Sequence, residues 1–486
     1  MIPLHTADFV RVLPEAILSA FAILVMVFEP FIPAERKSLL GWFALFGVAA
    51  AGAGAVRTSF SPGLAFGGTV AADPFSLYFI FLFLLVASLT LLGSMNYLER
   101  DRVHHGEFYA LVLMATVGMC FMAASAELIM IFIGLEISSL STYVLVGFKR
   151  RERQSVEAAV KYFLLGSFAT AFFLYGIAFV YGLTGTTNLL GLSEHVVAPA
   201  QWSSLMRLAL ILMFVGLAFK ASTVPFHIWT PDVYQGAPAP VTAFLSVGPK
   251  AAAFAVLLRV LLGGMASAGP LTFRMVWISA ALTMSLGNLA ALAQTNLKRM
   301  LAYSSIAHAG YILVGVAAAM AGTGTEGVSS VLFYLAAYSL MNLAAFILIA
   351  HLAGTGERRT SVDDYTGLAY ERPGVSACLM VLLLSLAGFP ATAGFLGKFY
   401  LFRAAVHGHL VGLTILAVLN SVVSVYYYLR LVVAMYMQEG KTAASTLALP
   451  WPLRAALAVS LVGIFYLGLY PNQFLGLVNL AANPLP

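Results

Sequence analysis

Long apolar runs follow one another along almost the whole chain, separated by short polar stretches rich in glycine and proline. An apolar run of about 20 residues is long enough to cross a bilayer as an α-helix. The pattern therefore predicts fourteen membrane-spanning segments, near residues 12–32, 38–56, 74–96, 107–124, 127–147, 157–182, 206–229, 238–262, 272–294, 299–321, 327–352, 374–403, 410–437 and 453–475. The first run lacks the basic stretch and the cleavage site of a signal peptide, so we interpret it as a retained membrane helix.

The seventh and twelfth spans are each interrupted by a proline, Pro225 and Pro390. A proline inside a helix leaves backbone carbonyl groups without partners, and within a membrane these must be satisfied by protein or by water. Broken helices at corresponding positions of two halves are typical of transporters built from inverted repeats. We therefore predict an all-α polytopic membrane protein with two inverted five-helix repeats, formed by spans 4–8 and spans 9–13.

The same pattern predicts a single integral membrane domain, residues 1–486, with four parts. These parts are three N-terminal helices in residues 1–106, the first repeat in 107–262, the second repeat in 272–437 and a C-terminal helix in 453–475. The spans follow one another so closely that we expect no separate soluble domain.

The composition indicates that lipid is the solvent for most of the chain. The sequence is 61% hydrophobic and 9% charged, whereas an ordinary soluble domain has roughly 25% charged residues. The net charge of +6 comes mainly from lysine and arginine in alternate loops, as the positive-inside rule describes. We therefore expect a multi-pass membrane protein whose termini both face away from the cytoplasm, and no binding to nucleic acid. Because the sequence shows no transit peptide, the expected location is a bacterial inner membrane with both termini on the periplasmic side.

Three sequence features are excluded as metal or nucleotide sites. Cys120 and Cys378 lie within apolar runs and are too few for a disulfide framework or a zinc site. "GTGTEG" at residues 322–327 matches a dinucleotide-binding pattern, but it lies in a short loop with no strand before it. "GKT" at 440–442 lacks the earlier glycine of a phosphate-binding loop. We expect no metal and no nucleotide in this chain.

Four charged residues fall where the membrane core should be: Glu136 in span 5, Lys220 in span 7, Lys250 in span 8 and Lys398 in span 12. A charge at mid-bilayer costs at least about 2.5–3.5 kcal/mol, so these side chains should face the protein interior. An amine near a carboxylate holds its proton and releases it when the carboxylate moves away or is neutralised. The set predicts a proton relay, although interfacial snorkelling or structural ion pairing by each lysine remains open.

Other polar residues in the spans give weaker signals. Lys161 lies one turn inside span 6, a position typical of a lysine that reaches back to the interface. His308 lies in the middle of span 10, where an imidazole either relays protons or packs as a satisfied core residue. Tyr426, Tyr427 and Tyr428 in span 13 either extend a polar path or belong to an aromatic belt.

Three motifs resemble the antiporter-like, proton-translocating membrane subunits of respiratory complex I, which is NADH-quinone oxidoreductase. The motifs are "FKASTVPFHIWTPDVYQGAPAPVTAFLSVGPKAAAF", "QTNLKRMLAYSSIAHAGY" and "LAGFPATAGFLGKFYLF". Within that family, "PDVY" followed by "FLSVGPK", together with the lysine at position 398, is similar to the subunit N branch. The resemblance covers essentially the whole chain.

The resemblance implies roles for the charged residues. Glu136 and Lys220 would form a coupled input pair, Lys161 would adjust that pair, Lys250 would be the central relay and Lys398 would hold a proton near the exit. The resemblance also implies that FMN, iron–sulfur clusters and the NADH site belong to partner subunits, with no cofactor in this chain. The implied partners are the other membrane subunits of complex I, in a hetero-oligomer embedded in lipid.

Two other functions remain open on the sequence alone. One is a subunit of a multi-subunit sodium/proton antiporter, which shares the lysine pattern. The other is a structural membrane subunit without an ion path, for which neutralising Glu136, Lys220 and Lys398 would leave turnover unchanged. If the chain is a proton relay, we expect the energy for transport to come from a partner, because the sequence shows no nucleotide-binding motif.

Overall fold

The computed structural model describes residues 5–195, 203–265, 269–439 and 448–483. Helices make up most of these residues. The N-terminal part contains α1 (Thr6–Arg11), α2 (Leu13–Phe28), α3 (Ser38–Ser59) and α4 (Pro74–Arg100). A short antiparallel hairpin of β1 (Gly63–Ala65) and β2 (Val70–Ala72) connects α3 to α4, with Leu64 paired to Ala71.

The two predicted repeats follow in order. The first contains α5 (Glu107–Ala124), α6 (Leu128–Val146), α7 (Arg153–Thr184), α8 (Leu189–His195), α9 (Ser204–Ala221), α10 (Trp229–Gly236) and α11 (Ala239–Arg259). The second contains α12 (Gly269–Leu292), α13 (Leu297–Ala318), α14 (Thr325–Leu352), α15 (Leu368–Glu371), α16 (Pro373–Ala387), α17 (Ala393–His407) and α18 (Val411–Met437). The chain closes with α19 (Trp451–Leu469) and α20 (Pro471–Ala481).

The predicted number of spans is confirmed. Within the described ranges, thirteen helices are long and apolar enough to cross a membrane. The remaining predicted span, the twelfth, is the pair of shorter helices α16 and α17. The predicted end of the last span at residue 475 is wrong, because α19 ends at Leu469 and Pro471 begins a separate helix. The "GKT" stretch at 440–442 lies outside the described residues.

Both proline-containing spans are broken, as predicted. Helix α9 ends at Ala221, and Ser222 adopts a left-handed conformation with φ of 61°. The second break follows α16, where Gly388 has φ of 91° and Ala391 has φ of 68°. Side chains satisfy the freed backbone: Thr283 accepts from the amide of Val224 at 2.9 Å. Non-helical backbone at this depth is tolerated because protein surrounds it.

Close glycine contacts recur at corresponding places in the two repeats. Helix α5 packs on α6, and α12 packs on α13. A Cβ atom added at Gly118 of α5 would lie 2.5 Å from the carbonyl oxygen of Gly134 on α6. A Cβ atom at Gly287 of α12 would lie 2.6 Å from the amide nitrogen of Ala307 on α13. Small residues let helix backbones approach closely in membranes, so each repeat has the same tight helix pair.

Helices α11 and α14 form the centre of the molecule. Every residue of α11 is buried, and nearly every residue of α14 is buried as well. The two helices pack against each other and belong to different repeats. A polar side chain on either helix is therefore enclosed by protein and must find its partners within the chain.

A buried ion pair fixes the far end of α11. Arg259 donates to both carboxylate oxygens of Asp73, at 2.9 and 3.0 Å, and its Nε donates to the carbonyl oxygen of Ala123. The exposed fractions of the two side chains are 3% and 0%. Asp73 also accepts from the amide of Ser76 at the start of α4. The pair joins the N-terminal helices to the first repeat.

Candidate functional site

Lys220 lies in the last turn of α9, directly before the break in span 7. Its side chain is buried, and its Nζ donates to Ser139 Oγ at 3.0 Å and to Tyr162 Oη at 3.2 Å. The amine also lies 5.5 Å from the centre of the Tyr162 ring and 5.9 Å from that of Tyr143. Hydroxyl groups and aromatic faces stabilise an ammonium group without neutralising it.

Glu136 lies one turn before Ser139 on α6, and the side chain is partly buried. Its Oε1 atom is buried and has no hydrogen-bond partner among the described residues. Glu136 and Lys220 form no direct ion pair in the described part of the chain. Lys220 instead donates to the Ser139 hydroxyl, which lies one turn beyond Glu136 on the same helix.

Lys161 lies apart from the buried lysines. Its Nζ pairs with Glu157 and with Asp232, each at 2.9 Å, and 42% of its side chain is exposed. Asp232 on α10 also pairs with Arg299 on α13 at 2.7 Å. Lys161 therefore belongs to an ion network that joins α7, α10 and α13, and it approaches Lys220 only through its neighbour in sequence, Tyr162.

Lys250 lies in the middle of α11, directly after Pro249. Its Nζ donates to the carbonyl oxygen of Ser305 at 2.7 Å and makes a second, shorter bond to Ser305 Oγ. Because Pro249 has no N–H, the carbonyl group of Leu245 lacks its usual helical partner. Tyr234 Oη on α10 donates to that oxygen at 3.3 Å. The proline thus brings a phenol to the carbonyl group five residues before Lys250 on the same helix.

Lys398 satisfies the break in span 12 directly. Its Nζ donates at 2.9 Å to the carbonyl oxygen of Ala387, the last residue of α16, and at 3.0 Å to Ser421 Oγ on α18. The amine lies 5.2 Å from the centre of the Tyr311 ring. The break exposes a carbonyl group, and the lysine side chain is its partner.

His308 is buried and hydrogen-bonded at both ring nitrogens. Nδ1 bonds to Tyr334 Oη, and Nε2 lies 3.1 Å from Tyr428 Oη. The Tyr428 hydroxyl also bonds to Ser304 Oγ. Of the three consecutive tyrosines in span 13, Tyr427 and Tyr428 are buried, whereas Tyr426 is 62% exposed. The imidazole is therefore part of a polar network and not an isolated packing residue.

Polar side chains of α13 connect Lys250 to Lys398. The neighbours Ser304 and Ser305 face Tyr428 and Lys250, and His308 lies one turn further along. Tyr311 completes the row beneath Lys398, and its hydroxyl accepts from Asn288 Nδ2 at 2.9 Å. The opposite gap, between Lys220 and Lys250, is filled by aromatic rings: Tyr162 stacks on Trp229 at 4.5 Å, and Trp229 meets Tyr234 at 6.0 Å.

Several residues of this network could not be found from sequence. The serines, Asn288, Tyr334 and Tyr338 are polar residues within apolar runs, but nothing local distinguishes them from residues that bond only to their own helix. Asp232 had a usable signal, because an acidic residue next to a helix break is costly unless it is paired. Arg299 is one of the basic residues next to a loop that the positive-inside rule explains by topology alone, and it also pairs with Asp232.

A second cluster of charges lies beyond the start of α11, in the loop after α14. Glu357 pairs with Lys298 at 2.6 Å and accepts from the amide of Ala239 at 2.7 Å. Tyr97 Oη makes a further, shorter bond to the same carboxylate. Lys149 pairs nearby with Asp101 at 2.6 Å. The Glu357 carboxylate therefore joins the first turns of α11 and α13, which carry Lys250 and His308.

The Glu357 carboxylate should make the stability of this region depend on pH. Burial alone would raise the pKa of Glu357, but the positive charges of Lys298 and Lys149 hold the pKa below its ordinary value. A carboxyl group with a depressed pKa contributes its full stabilisation above its unfolded pKa of about 4.3 and loses it as the pH falls through the folded value. We expect hydrogen-exchange protection of the first turn of α11 to be lower at pH 4 than at pH 6, relative to intrinsic rates.

Two variants test this assignment. Glu357→Gln should have weak protection at both pH values, because the amide cannot balance the charge of Lys298. Glu99→Gln, which changes an exposed carboxylate nearby, should match the wild type. Equal pH dependence in the wild type and in Glu357→Gln would show that another group is responsible.

One group of side chains has the spacing for a metal ion within the described residues, formed by Glu29, His105 and Glu107. Glu29 already pairs with Lys37 and accepts from the amide of Gly106 at 3.0 Å. Lys37 already pairs with the Glu29 carboxylate that a metal ion would need as a ligand, so we assign no metal to this group.

Comparison with known proteins identifies the family. A family model described as "NADH:quinone oxidoreductase/Mrp antiporter, TM" matches residues 125–424. NADH-quinone oxidoreductase subunit N 2 of Koribacter versatilis is 46% identical over an alignment of 488 positions that covers 99% of this chain and 98% of that protein. This chain belongs to the subunit N family of NADH-quinone oxidoreductase. The resemblance found in the three sequence motifs is confirmed.

Other members of the subunit N family agree with this assignment. Subunit N of Trichlorobacter lovleyi is 46% identical over 97% of this chain and 96% of that protein. A chain of respiratory complex I from Thermus thermophilus is 38% identical, with a TM-score of 0.81, over 97% of this chain and all of that chain. The chain is therefore a membrane subunit of a multi-subunit complex, with other membrane subunits as its partners.

Proposed function

We propose that this chain translocates protons in NADH-quinone oxidoreductase, through a relay that runs from Glu136 and Lys220 by way of Lys250 to Lys398. The observation that carries the proposal is the placement of three buried lysines along one row through both repeats. Two of them contact α13: Lys250 donates to Ser305, and the Lys398 amine lies 5.2 Å from the centre of the Tyr311 ring. Buried amines are costly in a membrane and are retained where they carry ions.

The energy for transport comes from partner subunits in this proposal. Moving one proton against 100 mV costs about 2.3 kcal/mol. Quinone reduction changes the charge in a neighbouring membrane subunit, and the coupling between Glu136 and Lys220 weakens in response. The proton then moves to Lys250 and on to Lys398, while FMN and the iron–sulfur clusters remain in the partners. The proposed orientation has both termini on the periplasmic side, with the loop at residues 147–152 in the cytoplasm.

Replacing Lys220 tests the proposal. In Lys220→Ala the input amine is lost, whereas Ser139 and Tyr162 remain, so we expect NADH-driven proton pumping to fall by about tenfold, equivalent to 1.4 kcal/mol on the transfer barrier. Pumping is measured in membrane vesicles that contain the assembled complex, as protons moved per NADH oxidised. Arg207→Ala, an exposed residue on the same helix, is the matched control and should pump normally. Normal pumping by Lys220→Ala would contradict the relay.

A sodium/proton antiporter subunit is the second candidate, because the matching family model includes Mrp antiporters. The two functions differ in what drives the proton. If NADH oxidation acidifies the lumen of inverted vesicles without added sodium, the redox-driven function is supported. If proton movement requires a sodium gradient and ignores NADH, the antiporter function is supported.

A further inference from the structure

A row of polar side chains runs along the buried contact between α11 and α14 and meets the relay at Lys250 and Ser305. On α11, Thr242, Ser246 and Lys250 are spaced four residues apart and share one helix face. On α14, Tyr338 and Asn342 have the same spacing. None of these groups is needed to bind Lys220 or Lys398.

Asn342 joins α14 to Ser246 of α11, and Tyr338 joins α14 to Ser305 of α13. Asn342 Nδ2 donates to Ser246 Oγ at 2.8 Å. One turn further on, Tyr338 Oη donates to Ser305 Oγ at 2.8 Å, and Ser305 is the residue that holds the Lys250 amine. Polar side chains one helical turn apart therefore lead from Asn342 to Lys250, and among the described residues no hydrogen bond bridges the step from Asn342 to Tyr338.

Asn342 has one polar atom left over. Its Oδ1 is buried and has no hydrogen-bond partner among the described residues. Buried polar atoms are nearly always bonded to protein or to water, and an amide oxygen without a protein partner favours a bound water molecule. The two central helices are otherwise closely packed and apolar, so a group that favours water at this depth marks a hydrated position.

A polar cavity lies at the outer end of the row. Its volume is about 230 Å³, and its lining includes Lys149, Gln154, Gln235, Pro238 and Glu357. Glu357 lies over the start of α11, where it bonds to the amide of Ala239, and Thr242 lies within the next turn.

The distance from the cavity to Lys250 is short enough for a row of waters and side chains. From Ala239 to Lys250 the helix rises about 16 Å, at 1.5 Å per residue. Ser246 with Asn342, and Tyr338 with Ser305, divide the inner part of that distance into steps of about 6 Å. The Thr242 hydroxyl, nearer the cavity, donates to the carbonyl oxygens of Tyr234 and Pro238. The Lys298 side chain lies across the outer end of the row. Its Nζ donates to Glu357 at 2.6 Å and to the carbonyl oxygen of Ala237 at 2.6 Å.

We propose that the contact between α11 and α14 is a proton-entry route that delivers protons to Lys250 from the face of the molecule bearing the 147–152 loop. The Glu357–Lys298 ion pair closes its outer end. The route rests on the proposed function, and it assigns Asn342 and Ser246 as positioning residues that hold water between the cavity and Lys250.

Blocking the row at Asn342 tests the route. Asn342→Leu has a similar volume and removes both polar atoms, so we expect proton pumping by the assembled complex to fall at least about tenfold. Asn342→Ser keeps a hydroxyl group and leaves room for water, and should retain at least half of the wild-type pumping. Ser330→Ala, which removes a buried hydroxyl of the same helix that bonds only to its own backbone, should pump normally.

Two parallel variants make the result decisive. If Asn342→Leu does not assemble, Ser246→Val obstructs the same point from α11 and should give the same loss. Lys250→Ala is measured alongside. Normal pumping in Lys250→Ala would overturn the proposed function itself. Loss of pumping in Lys250→Ala together with normal pumping in Asn342→Leu or Ser246→Val would overturn the entry route and leave the function standing. Equal loss in Asn342→Ser and Asn342→Leu would assign Asn342 a packing role, which also overturns the route.

Discussion

Lys250→Ala should reduce NADH-driven proton pumping on the order of 10²-fold, because it removes the amine at the boundary of the two repeats. Without an ionisable group, the proton must cross buried, apolar α11, and a charge placed there costs at least about 2.5–3.5 kcal/mol. If that cost is added to the barrier for proton transfer, the transfer rate falls on the order of 10²-fold. Ser305 and Tyr338 remain in place, but a hydroxyl group does not hold a proton as an ammonium does.

The measurement uses the assembled complex in inverted membrane vesicles, with proton uptake and NADH oxidation recorded together. Arg403→Ala, which changes a half-exposed arginine on α17, controls for the loss of a positive charge and should leave the ratio of protons to NADH unchanged. Lys250→Arg separates charge from proton exchange, because arginine keeps its proton under all ordinary conditions. If Lys250→Arg pumps like the wild type, Lys250 acts as a fixed charge and the relay role is wrong.

Arg259→Met should destabilise the chain by about 3–5 kcal/mol, the cost of removing one partner of a buried ion pair. The change leaves the fully buried Asp73 carboxylate without the guanidinium group that balances its charge. It also removes the bond to the carbonyl oxygen of Ala123 that connects α11 to α5. The expected loss is large because the methionine fills the space but offers no hydrogen bond.

The free energy of unfolding in mild detergent measures this effect, together with the yield of assembled complex. Arg274→Met, at an exposed position on α12, is the matched control and should stay within about 0.5 kcal/mol of the wild type. The double variant Asp73→Asn with Arg259→Met should recover part of the loss, since no buried charge remains. A double variant less stable than Arg259→Met alone would show that Asp73 stabilises the fold independently of the arginine.

The broken helices could be predicted because their causes are local. Pro225 and Pro390 remove backbone hydrogen bonds wherever they lie in a helix, and each has a lysine within eight residues that marks a polar surrounding. Span number was predictable for the same reason, since helix length in a membrane is fixed by bilayer thickness. The short hairpin before α4 and the turn at Tyr470 were not predicted, because residues 63–72 are mostly apolar or glycine and Pro471 lies within a largely apolar run.

Partners of the charged residues could not be predicted, because they come from distant parts of the chain. Lys161 and Asp232 are 71 positions apart, and Lys250 and Ser305 are 55 apart. Helix packing decides which side chains meet across such distances, and the local sequence does not indicate how the helices pack. The expected contact of Glu136 with Lys220 illustrates the limit: both residues lie in the same region, yet Lys220 bonds to Ser139, one turn away.

Resolving ordered water inside this chain, in the assembled complex and at high resolution, tests most directly whether the buried lysines share one conducting path. The relay predicts water molecules between Lys220 and Lys250, past Tyr162 and Tyr234, and further water along α13 as far as Lys398. Apolar side chains filling those gaps without water, or lysine amines directed toward lipid, would contradict it.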